Sequence, residues 1–240
     1  MSQSTQKRKV LLTGGTGFVG HHVARRLTER GHAIRALVRS AERANALRDL
    51  GAELVEGDVV DDIAGETLAG CDAVIHLVGI IREKPPALTF ERVHTRGTLH
   101  VVEAAKSAGV KKFAHMSALG AAAQGTAYQR TKYEAEELVR RSGLPFVIFR
   151  PSVIVGTGGE FTNLLVSMVR RAPAVPVIGD GNYRLQPVDV GNMASAMVLA
   201  VERDDISGES YDIGGPHKLT YNRMLEIASE ELGVRRKLFH

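Results

Sequence analysis

Tyr128 and Lys132 stand four residues apart in a stretch with helical patterning, which puts them on one helix face. A free phenol titrates near roughly 10. A neighbouring ammonium, or a positive ring bound beside it, would lower that value and let Tyr128 exchange a proton with a substrate oxygen. Ser117 lies eleven residues earlier and carries a hydroxyl that can polarise the same oxygen or cap a turn. A second group sits near the start of the chain. Thr13-Gly14-Gly15-Thr16-Gly17-Phe18-Val19-Gly20 spaces Gly14, Gly17 and Gly20 as G-x-x-G-x-x-G. The run follows an apolar strand pattern and opens a helical one. In that context it offers backbone N–H groups and a helix dipole to a diphosphate. Gly14 permits a tight turn, Gly17 admits the phosphates to the backbone, and Gly20 lets helix and strand pack closely. Thr16, Phe18 and Val19 complete the surface of the turn.

A diphosphate site of this kind implies a nicotinamide dinucleotide. The second strand pattern ends Leu37-Val38-Arg39-Ser40, without the carboxylate that would hold a ribose 2′-hydroxyl. Arg39 can grip a 2′-phosphate bidentately, so NADP(H) is expected in preference to NAD(H), with Arg35 as the weaker contact. Asp58, after the third strand, can accept from an adenine amino group while Val59 packs on the ring; a turn aspartate is the alternative. Leu77, Val78 and Gly79 leave the fourth strand where the backbone can pass close to the cofactor. Lys132 can also hold the nicotinamide ribose.

Stepping outward, strand patterns at 9–13, 33–38, 52–55, 73–78, 112–116 and 145–149 alternate with helical ones at 18–30, 41–50, 90–108 and 127–141. This alternation predicts an α/β fold, a Rossmann-type doubly wound parallel sheet covered on both faces. Residues 1–150 form the expected dinucleotide-binding core. Residues 151–240 are expected as a small C-terminal substrate or partner lobe packed on the same domain. Helices are expected there at 161–171, 190–202 and 221–232, with a strand at 211–213. The chain ends soon after Gly233, as a truncated chain would.

The chain has 240 residues, 44% hydrophobic and 24% charged, and a formal net charge of +4. That composition suits one soluble α/β domain. The basic residues are spread along the chain, so no nucleic acid is expected. No apolar run approaches a membrane span, and the N-terminus lacks a signal-peptide core. Cytoplasmic location is expected, with a basic face able to meet the inner surface of a membrane. The single cysteine, Cys71, excludes an internal disulfide. None of the nine histidines has metal-site spacing, so no metal is expected, and His76 and His115 read as hydrogen-bonded core residues. Phe161, Leu164, Leu165, Met168 and Val169 form an apolar helical stripe, expected to pack within the lobe or else to face a membrane or quinone.

Taken together these residues resemble the short-chain dehydrogenase/reductase superfamily, in its extended and atypical branches. The glycine loop, Asp58, Gly97-Thr98, Ser117, Tyr128-x-x-x-Lys132 and Arg150-Pro151-Ser152 fall in its order. The segments Val78-Gly79-Ile80-Ile81-Arg82-Glu83, Thr89-Phe90-Glu91-Arg92-Val93-His94 and His115-Met116-Ser117-Ala118-Leu119-Gly120-Ala121 resemble more closely the dehydrogenase-like accessory subunit of respiratory complex I and its bacterial relatives. The resemblance implies NADP(H) at Gly14, Gly17, Gly20, Arg39 and Asp58, with Pro151 also at the cofactor. It implies an oxidoreductase or isomerase for a small carbonyl, alcohol or quinone-related substrate. The alternatives are a non-catalytic NADPH-binding accessory or assembly subunit with a respiratory-chain or membrane-surface partner, and an NADPH/NADP redox sensor. His94 stands where extended members carry Asn, and the spacing from Ser117 to Tyr128 is shorter than theirs.

Overall fold

The structure is a computed structural model that describes residues 6–171, 174–177 and 179–239. In chain order the elements are β1 (Lys9–Thr13), α1 (Phe18–Glu29), β2 (Ala33–Val38), α2 (Asn45–Asp49), β3 (Glu53–Glu56), β4 (Ala73–His76), α3 (Gly97–Ser107), β5 (Lys112–Met116), α4 (Ala127–Arg141) and β6 (Phe146–Pro151). They continue with β7 (Ile154–Val155), α5 (Glu160–Arg171), β8 (Ala174–Pro176), β9 (Arg184–Leu185), β10 (Val188–Asp189), α6 (Val190–Glu202), β11 (Glu209–Ile213), β12 (Leu219–Thr220), α7 (Tyr221–Glu231) and β13 (Lys237–Phe239). Seven strands form one sheet in the order β11-β6-β5-β4-β1-β2-β3. The pairings from β6 through to β3 are all parallel. The order reverses at β1, between β4 and β2, which is where open α/β sheets take ligands.

The chain divides into two compact units: Met1–Arg150 with Gly191–Asp212, and Pro151–Val190 with Ile213–His240. The expected core of 1–150 thus acquires α6 and most of β11, which lie far downstream. Ion pairs and hydrogen bonds hold that return. Glu202 accepts from Arg30 at 2.6 Å and from His32 Nε2 at 2.8 Å, and Asp204 pairs with Arg8 at 2.6 Å.

Burial in the first unit follows the apolar pattern. Leu11, Val74, Phe113 and Ile148 of four neighbouring strands are fully buried with Val101 and Ala105 of α3 and Val139 of α4. Each such aliphatic side chain contributes roughly 1.5–3 kcal/mol. Helix α1 buries Val19, Val23, Ala24 and Leu27, the spacing of one helix face.

Three elements depart from the sequence pattern. β4 stops at His76 rather than residue 78, because its neighbour β1 turns away into the glycine loop; the last bond is Leu77 N–H to Thr13 O at 3.2 Å. The helix expected over 41–50 breaks into a 3₁₀ turn (Ala41–Arg43) and α2, with Glu56 Oε1 taking the Ala41 N–H at 2.7 Å. The helix expected over 90–108 opens as a π-helical segment (Glu91–Arg96) before α3. That wide turn faces α4, where His94 and Thr95 bond Thr131 and Glu134.

The second unit has its own small core of Leu165, Val169, Val175, Val177, Tyr221, Met224 and Leu225. Most of the apolar stripe on α5 is used there, with Phe161 and Met168 packed against that core; Leu164 remains 44% exposed. Among the described residues no helix is long and apolar enough to cross a membrane.

Gly20 allows no side chain. A Cβ there would fall 2.1 Å from the Gly14 carbonyl oxygen and 2.7 Å from the Gly15 Cα. Backbone atoms cannot swing aside, so Gly20→Ala is expected to cost at least about 1–3 kcal/mol, read as a lower urea midpoint.

Candidate active site

The glycine turn binds to itself and to the sheet through backbone. Gly14 has φ +73° and its carbonyl accepts from Gly17 N–H at 3.0 Å. Its α-carbon faces Leu77 and Val78, whose backbone atoms lie 3.1–3.2 Å from where a Cβ would be. Helix α1 begins at Gly17 with no side-chain cap and no acidic residue in its first turn. The first-turn N–H groups therefore have no side-chain acceptor and no nearby carboxylate to repel an anion. A backbone cradle with an uncapped helix start fits the diphosphate of a dinucleotide. Thr16 and Gly17 are exposed on this turn, Phe18 is half-buried, and Val19 is buried beneath it.

Helix α4 carries the candidate proton-transfer pair. A capping box starts it: Thr126 Oγ1 accepts from Gln129 N–H, and Gln129 Oε1 accepts from Thr126 N–H. The T-x-x-Q spacing of Thr126 and Gln129 was a readable signal for that start. Tyr128, Lys132 and Glu136 then follow at four-residue spacing. Lys132 is 4% exposed and its Nζ donates to Met116 O at 2.8 Å. Burial lowers its ammonium to about 8, against a smaller opposing pull from Glu136. The exit of β4 runs beside it; a Cβ on Gly79 would lie 3.8 Å from Nζ. The expected lowering of the Tyr128 phenol is not found. Burial pushes it up, and the Lys132 ammonium is directed to the Met116 carbonyl instead.

Glu136 is a functional-site residue that reading the sequence missed, although it extends the Tyr128 and Lys132 series. It is fully buried and accepts from Ser117 Oγ at 2.5 Å, Arg140 at 2.7 Å and Arg150 at 2.6 and 2.8 Å. Burial alone would raise its carboxyl, but the bonds from Arg150, Ser117 and Arg140 outweigh it and hold the group charged. Ser117 therefore gives its proton to Glu136 in this arrangement.

His94 is buried inside the π-helical segment. Thr131 Oγ1 already donates to the Ala127 and Tyr128 carbonyls, so it accepts from His94 Nδ1 at 3.0 Å. Nε2 is then left to accept the Ile80 N–H at 3.1 Å. The ring stacks on Phe90 and meets Tyr128 edge-on, with centroids 5.4 Å apart. Burial and the nearby Lys132 lower His94 to about 3, so it is a neutral strut between α4 and the β4 exit.

The remaining candidates divide. Arg39 is exposed and makes no hydrogen bond or ion pair among the described residues. Arg35 donates to the Glu66, Thr67 and Ala69 carbonyls and to Glu53, which ties it to the fold. Asp58 is half-buried and Oδ1 accepts Val60 N–H at 3.3 Å. Val59 is buried under Gly97, and its carbonyl bonds His100 at 2.9 Å. Pro151 is buried at the end of β6, where the second unit begins. His76 bonds Thr13 and Thr98 at 2.6 and 3.1 Å. His115, expected to be hydrogen-bonded, has no protein hydrogen-bond partner at either nitrogen and stacks on His76 at 5.4 Å. Cys71 is buried, and burial raises its thiol. Among the described residues no three His, Cys, Asp or Glu side chains gather as a metal site.

A family model described as the NAD dependent epimerase/dehydratase family matches residues 10–214. A ceramide reductase from Caulobacter vibrioides is 30% identical over 95% of this chain and 72% of that protein. NADH dehydrogenase [ubiquinone] 1 alpha subcomplex subunit 9, mitochondrial, from Arabidopsis thaliana is 28% identical over 89% of this chain, which spans 55% of that protein. The solved structure of MoeE5 in complex with UDP-glucose and NAD shares the fold with TM-score 0.82 and 22% identity, covering 96% of this chain and 84% of that one.

His76 and His94 are held neutral in the fold, down to about 3 from an ordinary 6.5. Below 6.5 the unfolded chain takes up protons that the folded one refuses. Stability is thus whole above that pH and is lost as pH falls toward 3, by about 1.4 kcal/mol per pH unit for each ring. Urea midpoints from about pH 7 to 4 are expected to fall accordingly, and His94→Asn to flatten the upper part of that slope; an unchanged slope would contradict the neutral burial of His94.

Proposed function

The chain belongs to the NAD dependent epimerase/dehydratase family, and from that premise we propose that it is an NADP(H)-dependent oxidoreductase interconverting a carbonyl and an alcohol. The observation that carries this reading is the intact pair on α4, with Lys132 desolvated beside the β4 exit and Tyr128 one turn away. A reduced nicotinamide, when bound, supplies the hydride. Tyr128 gives its proton to the carbonyl oxygen in reduction and takes it back in oxidation. Lys132, lowered to about 8, turns from the Met116 carbonyl to stabilise the phenolate left behind and exchanges its own proton near neutral pH. Ser117 orients the substrate oxygen, its hydroxyl turning from Glu136. Gly14, Thr16, Gly17, Phe18, Val19 and Gly20 take the diphosphate, Asp58 and Val59 the adenine, and Leu77, Val78, Gly79 and Lys132 the nicotinamide end. Arg39, exposed and without an internal partner, supports NADP(H) over NAD(H) through the 2′-phosphate. The likeness to a ceramide reductase supports the reductive direction.

The likeness to the plant NADH dehydrogenase subunit supports a second reading, an accessory subunit that keeps NADPH without turning it over. In that reading the basic surface, net +4, meets a respiratory or membrane partner. NADPH that co-purifies and resists exchange would favour it.

On the enzymatic reading, Tyr128→Phe is expected to lower kcat about a hundred- to ten-thousand-fold while NADPH still binds; NADPH consumption undiminished in that variant would refute it. Arg39→Ala is expected to weaken NADPH by about tenfold or more and to leave NADH nearly unchanged, checked by titration calorimetry.

A further inference from the structure

The loops at the mouth of the site are unusually bare of polar side chains. After β5 and Ser117 comes Ala118-Leu119-Gly120-Ala121-Ala122-Ala123, six residues with no side chain that can form a hydrogen bond. Exposed loops are ordinarily polar, yet Leu119 is 50% exposed here and Ala123 is also exposed. The loop is bound to the start of α4: Ala122 N–H donates to Gln129 O at 3.3 Å, beside Tyr128 in sequence. A matching feature leaves the adjacent strand. Gly79-Ile80-Ile81 exits β4, and Ile81 is 62% exposed. This segment is anchored on both sides. His94 holds Ile80, and Glu83 Oε1 accepts the Phe90 N–H at 2.7 Å. Phe90 sets its ring edge-on to Tyr128, with centroids 5.5 Å apart.

Scattered exposed apolar residues need no explanation, but here two large ones follow neighbouring strands, in segments bonded to Gln129, next to Tyr128 in sequence, and to His94, in ring contact with it. Water is displaced most favourably from such a place by hydrocarbon. A sugar nucleotide would find main-chain groups but no side-chain partner for its hydroxyls along 118–123.

We propose that Ile81 and Leu119 form an apolar mouth that seats the aliphatic chain of the substrate, so that the preferred substrate is a ketone carried on a long hydrocarbon chain. This rests on the oxidoreductase reading and narrows it. The step balances as follows: the carbonyl carbon gains a hydride from the reduced nicotinamide, the oxygen gains the Tyr128 proton, a secondary alcohol leaves, and the phenolate regains a proton from solvent. The chain takes no part in bond making; its burial lowers the energy of the bound complex.

The test measures NADPH consumption with straight-chain 2-ketones from 2-butanone to 2-dodecanone. In the native protein kcat/KM is expected to climb with length, by up to about fourfold per methylene before it levels off. In Ile81→Ser/Leu119→Ser, both changes lying on exposed side chains, the climb is expected to flatten. Consumption of all ketones at one kcat/KM would overturn the apolar mouth and leave the oxidoreductase reading standing. So would an equal loss at every length in the double variant. If no ketone is consumed, the oxidoreductase reading fails, and a binding measurement decides the mouth separately. With NADP+ present, 2-dodecanone should raise the melting temperature of the native protein and not of the double variant. No rise in the native protein would overturn the proposal.

Discussion

Gly20 and Gly14 touch through backbone alone, and much of the site inherits its position from that contact. With 2.1 Å between a notional Gly20 Cβ and the Gly14 carbonyl, the first turn of α1 lies directly on the loop that precedes it. The same loop presses Gly14 against Leu77 and Val78. One residue further, Gly79 comes to within side-chain reach of His94 and Lys132. The candidate diphosphate cradle, the β4 exit and the candidate proton-transfer pair are therefore joined by short steps of main chain. Side chains relax on mutation, whereas main-chain contacts of this kind transmit displacement. A dinucleotide held in the cradle would be registered against Tyr128 without help from flexible groups.

A single desolvated cation organises the electrostatics behind that geometry. Lys132 sits in the interior with one carbonyl partner, and its field lowers His76, His94 and His115 below the level burial alone would set. Neutral histidines can then act as hydrogen-bonded struts without adding like charge. The one buried carboxylate nearby, Glu136, is occupied by Arg140, Arg150 and Ser117, so it steadies Lys132 at a distance instead of neutralising it. Breaking such a buried ionic cluster by removing one partner typically costs about 3–5 kcal/mol. The cluster ties the exit of β5, α4 and β6 together.

The fold itself does not select a substrate. The family model gives the NAD dependent epimerase/dehydratase family, the MoeE5 structure shares the fold, and the relatives include a ceramide reductase and a subunit of an NADH dehydrogenase. Two exposed apolar side chains, Ile81 and Leu119, follow the neighbouring strands β4 and β5 in this chain. Specificity in such folds is carried by loops of this sort, since the strands beneath them are occupied with packing.

The glycine loop, the parallel strands of the first unit and the Tyr128–Lys132 pair were legible in the sequence, because each depends on spacing along a few contiguous residues. β1, β2, β5 and α4 fall at their patterned positions. Arg39 was already ranked above Arg35 from the sequence, and the fold supplies the physical difference by giving Arg35 four internal acceptors and leaving Arg39 in solvent. Three further features waited on tertiary structure: the return of 191–212 to the first unit, the π-helical turn that aims His94 at Thr131, and the meeting of Ser117, Arg140 and Arg150 on Glu136. Sequence by itself determined which chemistry was available, since periodicity and turn propensity are local. Which groups are buried, paired or shifted in charge was decided by the tertiary structure, because desolvation and hydrogen bonding depend on neighbours distant in the chain.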